Sequence, residues 1–415
     1  MNMTDIQEIA SRAKEASRKM KQLSGEARTK ALYLMAEKLA ACKEELFKAN
    51  GEDLAAAPNL TEAFRKRLAV TEKIFTYMMN RLKEAAALPD AAGKILEGKT
   101  MPSGLQVQKI AIPIGVIAII YEARPNVTTD AAAVALKSGN AVILKGGSES
   151  IRTNKVLAGA MREAAKEAGL PEDAVILIER TDHEVVSELL KMDQYIDLII
   201  PRGGKSLIKA IAEGTRIPVL KHYDGICHQY IAEDADKDMA ISLIVNSKCQ
   251  RVEVCNALET LLVDVKSAPL ILPEVAKALQ EKGVTLKGCA ETLCILPGIE
   301  KATEEDWSTE YLAPVLSIKI VHGIEEAMDH IAKYGSGHTD GIITSSLLLA
   351  ERFTSGVDSA SVLVNASTRL SGGGDYGMGA VVGISTDKLH ARGPVGPAEL
   401  CTYKYVAIGN GTLRD

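Results

Sequence analysis

The chain has 415 residues, of which 47% are apolar and 25% charged, with a formal net charge of −5. A single core rarely grows past roughly 250–300 residues, so two or more domains are expected. The charges are spread along the chain, which argues against nucleic acid or an acidic membrane as a main partner. The longest apolar run, residues 110–121, is interrupted by Pro113 and is far shorter than the ~20 residues a membrane helix needs. Residues 1–21 are charged and lack an apolar stretch of the secretory kind, and the seven cysteines include no C-x-x-C pair. A cytoplasmic chain with reduced thiols and no metal site is therefore expected.

Residues 4–88 carry apolar and charged residues at helical spacing, rich in Ala, Leu, Lys and Glu, and Pro89 closes this helical region. Residues 94–112 change period and predict a hairpin turning at Pro102-Ser103-Gly104. From residue 115 to 220 strand and helix patterns alternate. Strands are predicted at GVIAIIY, AVILK, AVILIE, IDLIIP and IPVL, with helices over 128–138, 150–168 and 203–213 between them. The strands are continuous apolar runs, as parallel strands covered on both faces require, so a doubly wound α/β domain is expected. Such sheets bind dinucleotides at the carboxyl ends of their strands. A second α/β unit is predicted from about residue 228 to 363, with strands at ALETLLV, TLCIL, VLSIKIV, GIIT and SASVLV and helices over 268–282 and 324–333. ELCTYKYVAIGNG near the end reads as a further strand.

Four segments can carry chemistry. In NSKCQRVEVCNALETLLV, Cys255 follows a helical stretch and precedes an apolar strand, with Lys248 and Arg251 nearby. A thiolate nucleophile needs such a loop among cations, although a buried structural cysteine fits the local residues as well. In YEARPNVTT, Asn126 can offer its amide to a developing oxyanion and Arg124 can pair with a carboxylate or phosphate; a plain helix cap is the alternative. In LKGGSES, Lys145, Gly146 and Ser148 lie where a strand gives way to a helix, and Lys145 is placed to reach a nucleotide ribose or its 2′-phosphate. In IIPRGGKS, Gly203 and Gly204 open a helix and can approach a pyrophosphate closely. His222 and His228 flank a loop that also holds Cys227 and read as packing or substrate contacts. GGGDYG at 372–377 matches G-x-G-x-x-G, but no helix pattern follows and it reads as a loop.

These segments together resemble the gamma-glutamyl phosphate reductases of the aldehyde dehydrogenase superfamily. IIYEARPNVTTDAAAVALKSGNAVILKGG, IDLIIPRGGKSLI, IPVLKHYDGICH, STEYLAPVLSIKIV, GSGHTDGIIT and VNASTRLSGGGDYGMGAVVGISTDKLHARGPVG match that family in order along nearly the whole chain. The resemblance implies an aldehyde dehydrogenase-like fold with two doubly wound α/β domains and a β-hairpin arm. Cofactor binding falls to residues 1–94, 114–227 and 364–395, catalysis to 228–363, and oligomerisation to an arm of 95–113 and 396–415. It implies NADPH-dependent reduction of L-glutamyl 5-phosphate to glutamate 5-semialdehyde in proline synthesis, with a homo-oligomer (dimer or tetramer) and coupling to glutamate 5-kinase as further expectations. By the same resemblance Cys255 is the nucleophile, Asn126 and the Cys255 N–H bind the oxyanion, Lys145 contacts the adenosine ribose region, Gly203 and Gly204 sit by the pyrophosphate, and Glu310 holds the nicotinamide ribose. Charge assigns Arg124, Lys221, His222 and Arg251 to the substrate's phosphate or carboxylate. Where relatives that prefer NAD carry an acid three residues after the lysine, this chain has Ser148, which favours NADPH, with Glu149 adjacent. Val252-Glu253 departs from the family's usual proline and small residue, and Glu253 is expected to point outward.

Overall fold

The computed structural model describes residues 5–182 and 184–414, and they divide into two compact units. The first comprises residues 1–221, 377–384 and 394–415; the second comprises 222–376 and 385–393. The stretches 222–227, 364–376 and 385–393, expected with the cofactor domain, group with the unit that holds Cys255.

In the first unit the helical region resolves into Asp5–Met20, Gly25–Ala41, Lys43–Ala56, Glu62–Leu68 and Glu72–Ala87. The hairpin forms from β1 (Ile95–Thr100) and β2 (Gln106–Pro113), and the C-terminal strand Cys401–Ile408 pairs antiparallel with β2 to make a three-stranded sheet. The central sheet contains β3 (Val116–Tyr121), β4 (Ala141–Lys145), β5 (Val175–Leu177) and β6 (Leu198–Arg202), ordered β5-β4-β3-β6 and parallel throughout. Alternation of side chains sends Val116, Ala118 and Ile120 into a core with Ile6, Ala10 and Ala13 of the first helix, while Ile117 and Ile119 are buried on the other face. Each fully buried aliphatic side chain contributes ~1.5–3 kcal/mol. IPVL does not become a full strand: it joins this sheet through one bridge, Ile199 to Val219, because Pro218 has no N–H to give a ladder.

The second unit is a seven-stranded sheet built from β7 (Cys227–Ile231), β8 (Leu258–Asp264), β9 (Thr285–Gly288), β10 (Glu300–Lys301), β11 (Val315–Val321), β12 (Thr339–Ile343) and β13 (Ser361–Val364). Its order is β10-β9-β11-β8-β7-β12-β13, all parallel. Helices Lys237–Cys249 and Ala268–Gln280 close one face, where Ile244 and Leu272 meet Leu261 and Ile318. Helices Ile324–Tyr334 and Leu347–Gly356 close the other, where Ile331 and Phe353 meet Tyr230 and Leu262. TLCIL, expected as a strand, is the short helix Ala290–Ile295. The strand is the preceding β9. After it, Cys289 donates its N–H to Ile318 O (3.0 Å) and Thr292 Oγ1 donates to the same oxygen (3.1 Å), which turns the chain. A short, mostly apolar run does not distinguish a strand from a turn of helix.

One capping device in the first unit crosses far-apart sequence. The helix Ile151–Glu167 has no side-chain cap from its own N-cap residue. The buried Asp53 carboxylate supplies it, accepting from Arg152 N (3.3 Å), Thr153 N (2.8 Å) and Thr153 Oγ1 (2.7 Å). Asp53→Ala leaves those donors buried without acceptors and is expected to cost about 2 kcal/mol, read as a lower urea midpoint of the first unit's transition by circular dichroism.

Candidate active site

Cys255 lies in the irregular segment between helix Lys237–Cys249 and β8. Its backbone is held more tightly than a loop residue's needs to be. The Cys227 thiol, on β7, donates to Cys255 O (3.2 Å), Ala257 N closes a turn on Val254 O (3.0 Å), and Asn256 Nδ2 donates to Arg369 O (3.2 Å). Gly225 sits directly against the same peptide: a Cβ there would lie 2.0 Å from Cys255 O and 2.7 Å from its Cα. Glycine is the residue that lets the two backbones meet. Cys255 itself is half-buried, the condition in which a thiol keeps access to a substrate.

The half-buried His222 and the buried His338 bracket the thiol: one nitrogen of each ring and Cys255 Sγ all lie within 4.8 Å of one another. The rings meet edge to face at 5.7 Å. Burial and the neighbouring His222 push His338 down to about 3, so it is neutral at physiological pH. His338 was not singled out from the sequence. Its signal was modest, a histidine between glycines at the start of a strand in GSGHTDGIIT. His228, by contrast, is a packing residue. It is fully buried and its Nδ1 pairs with Asp340 Oδ1 at 2.8 Å.

Of the cations near Cys255 in sequence, Lys248 is committed elsewhere. It forms a fully buried pair with Glu259 at 2.7 Å. Arg251 and Glu253 are both exposed and meet at 3.8 Å, so the departure at Glu253 is a surface feature. Glu259 continues the chain of contacts by accepting Leu312 N (3.2 Å), and two residues back Glu310 Oε1 accepts Gly225 N (2.9 Å). Leu312 takes a left-handed φ of 50° to do so.

The first unit holds the other expected residues at the carboxyl ends of its sheet. Strand order reverses between β3 and β6, the switch point where such sheets open a crevice. There Glu122, just after β3, accepts the Gly204 N–H (2.8 Å), and a side chain at Gly203 would meet that carboxylate at 2.7 Å. Arg124 is the N-cap residue and Asn126 lies in the first turn of helix Pro125–Lys137. Asn126 Nδ2 donates to Asp130 Oδ2 (3.2 Å), and loss of water around that carboxyl raises it to about 6 against the pull of Arg81. At the end of β4 the buried Lys145 donates to Gly146 O (2.8 Å), and desolvation lowers its pKa. A Cβ on Gly146 would strike Asn154 Nδ2 at 2.3 Å; the exposed Ser148 opens a single turn, Ser148–Ser150, that ends on the buried Ser150. Lys221 and His222 stand on the two sides of the boundary between the units.

Two outcomes follow. Lys248→Met strands a buried carboxylate and is expected to cost about 3–5 kcal/mol, whereas Lys248→Met with Glu259→Met recovers most of it, as a double-mutant cycle in urea would measure. The second concerns acid. His330, buried against His228, is also held down to about 3 by loss of water. An unfolded imidazole titrates near ~6.5, so below that pH the unfolded state binds protons that the folded rings refuse. The contribution of both rings is present above pH ~6.5 and is lost as pH falls toward 3, at up to about 1.4 kcal/mol per pH unit for each. His330→Phe is expected to flatten the pH dependence of the second unit's melting temperature between pH 6.5 and 4.

An aldehyde dehydrogenase family model matches residues 1–304 of the chain. The chain is similar to a gamma-glutamyl phosphate reductase of Caldanaerobacter subterraneus, 49% identical over 99% of this chain and 100% of the relative. It is similar to that of Carboxydothermus hydrogenoformans at 46% over 99% and 100%. The crystal structure of gamma-glutamyl phosphate reductase from Thermotoga maritima superposes with a TM-score of 0.97 at 40% identity, covering 99% of this chain and all of that one. An acetylating aldehyde dehydrogenase from Geobacillus thermoglucosidasius shares the fold at a TM-score of 0.68 and 21% identity, over 99% and 98%.

Proposed function

We propose that this chain, which belongs to the gamma-glutamyl phosphate reductases of the aldehyde dehydrogenase family, reduces L-glutamyl 5-phosphate to L-glutamate 5-semialdehyde with release of phosphate, in the proline biosynthetic route. The observation that carries the reading is Cys255: a half-buried thiol on an irregular turn, its peptide pinned by Gly225 and Cys227, in a chain that matches these reductases from end to end. Its thiolate attacks the acyl carbon, the carbon–oxygen bond to phosphate breaks, and a thioester remains on Sγ. Phosphate is a good leaving group and needs no strong acid. Asn126 and the Cys255 N–H stabilise the tetrahedral oxyanion. Asp130 takes one hydrogen of the Asn126 amide and so sets the direction of the other.

Family membership carries a nicotinamide cofactor with it, and we assign NADPH. Its chemistry is hydride donation to the thioester carbon. The first unit fits such a group. Gly146 and Gly203 are places where a side chain would collide with Asn154 or Glu122, so backbone lines the carboxyl ends of β4 and β6. Glu122 already holds the Gly204 N–H, so Gly203 and Gly204 offer close approach, and recognition of the phosphates falls to Lys145 and Ser148. Glu310 holds the nicotinamide ribose. Arg124, Lys221, His222 and Arg251 bind the substrate's phosphate and carboxylate. The sheet of β1, β2 and Cys401–Ile408 exposes Ile95, Leu96, Tyr405 and Ile408 and serves assembly into a dimer or tetramer. A cytoplasmic location and coupling to glutamate 5-kinase accord with this route. Among the described residues no helix is long and apolar enough to cross a membrane.

The test runs the reaction backward: NADP+ reduction with glutamate 5-semialdehyde and phosphate. Wild type is expected to turn over only with phosphate, Cys255→Ala to lose turnover with NADPH binding retained, and Asn126→Ala to drop kcat by about 10²–10³. Turnover with coenzyme A in place of phosphate, or none with an intact fold, overturns the assignment.

A further inference from the structure

We propose that Cys255, His222 and His338 form a binding site for a thiophilic divalent cation of the zinc class, and that occupying it switches the nucleophile off. The three side chains come from three separated segments: the loop before β7, the turn before β8, and the residue before β12. The second unit alone brings them together, with one nitrogen from each ring and the sulfur all within 4.8 Å. A tetrahedral ion bound at ~2.0–2.3 Å needs edges of about 3.5 Å. Closing that gap takes side-chain shifts of about 1.3 Å or less between the ligand atoms.

Hydrogen bonding around His338 prepares it as a ligand. Ser371 Oγ donates to Thr368 O (2.9 Å), and Thr339 Oγ1 donates to Ser371 Oγ (2.9 Å). The Thr339 hydroxyl has then spent its proton, so at 2.8 Å it accepts from His338 Nδ1–H. That fixes the tautomer and leaves a lone pair on Nε2, which is buried with no hydrogen-bond partner. A ring with one nitrogen tied to an oxygen and a bare lone pair on the other is the arrangement that orients metal-bound histidines. One thiolate and two imidazoles select a borderline-soft ion over magnesium or calcium, which take oxygen ligands. Three protein ligands leave a fourth position for water.

Binding exchanges a proton for a metal bond. The Cys255 S–H proton passes to solvent, a sulfur lone pair forms the bond to the ion, and nothing is oxidised or reduced. The same lone pair is the one that attacks the acyl carbon, so the metal-bound enzyme is silent until a chelator strips the ion. This consequence rests on Cys255 being the nucleophile; the site itself rests on geometry alone.

The experiment titrates the full chain with Co2+ as an optical probe and with Zn2+ in competition with a chromophoric chelator, while following NADP+ reduction in parallel. One ion per chain is expected, with a sulfur-to-cobalt charge-transfer band that Cys255→Ser abolishes. Thr339→Val is nearly isosteric, so folding is preserved. It removes the acceptor at Nδ1 together with the hydroxyl's donation to Ser371 and is expected to weaken Zn2+ by about 10–100-fold. His222→Ala is expected to weaken it as well, with the native circular dichroism spectrum retained. Absence of the band, or Zn2+ affinity unchanged in both Cys255→Ser and Thr339→Val, overturns the site. A Cys255-dependent band with turnover undiminished at full occupancy keeps the site and refutes Cys255 as the nucleophile. Inhibition that follows occupancy and is reversed by chelator supports both.

Discussion

The buried pair of Lys248 and Glu259 is the contact on which the second unit's chemistry depends. Both groups are fully withdrawn from water, which costs each several kcal/mol unless the partner and further hydrogen bonds repay it. Burial drives both toward their neutral forms, and the 2.7 Å contact holds the pair together. Its value lies in where the two residues stand. Lys248 is in the last turn of the helix before the Cys255 segment, and Glu259 is on the strand after it, so the pair clamps both ends of that segment. Glu259 then reaches Leu312, and Glu310 reaches Gly225, so the loop of residues 310–312 and the loop of 222–226 are tied to the same frame.

The first unit uses carboxylates in a parallel way, each satisfying backbone donors that its own segment leaves unpaired. Asp53 caps a helix that begins about a hundred residues later in the chain. Asp197 accepts Val116 N at the start of β3 and pairs with Lys14 of the first helix. Glu122 closes the turn after β6. Buried or half-buried backbone donors need acceptors, and in this unit the acceptors are distant side chains. That ties the N-terminal helices to the sheet as one folding unit.

Most of the architecture was legible in the sequence because it is written in short-range periodicity. The apolar runs at β3, β4 and β11, the hairpin turn at Pro102-Ser103-Gly104 and the helices between Asp5 and Ala87 all need only neighbours to be read. TLCIL misleads because four apolar residues after a threonine suit either a strand or a helical turn, and β7 is hard to read because CHQYI carries polar side chains into a fully buried strand. His228 and Gln229 are tolerated there because Asp340 and Ala366 O satisfy them. A chemical role could be proposed from the sequence where a residue type is itself the chemistry, as with Cys255 and Asn126. It was not legible where a role arises by approach. Nothing near His338 in the chain announces that it meets a cysteine more than eighty residues earlier, and nothing near Lys248 announces that its charge is already taken by Glu259.

The contact of Gly225 with the Cys255 peptide sets a boundary for anyone reshaping this enzyme toward other acyl groups. Residues 222–224 and 250–254, which precede Gly225 and Cys255 in the chain, are half-buried or exposed, so the fold leaves them open to variation. Position 225 is closed to every side chain, since even a methyl group would occupy the space of a carbonyl oxygen. A combinatorial library that randomises the loop as a block would discard nearly all its members at that one codon. Holding glycine there and varying its neighbours keeps the diversity where the fold can absorb it.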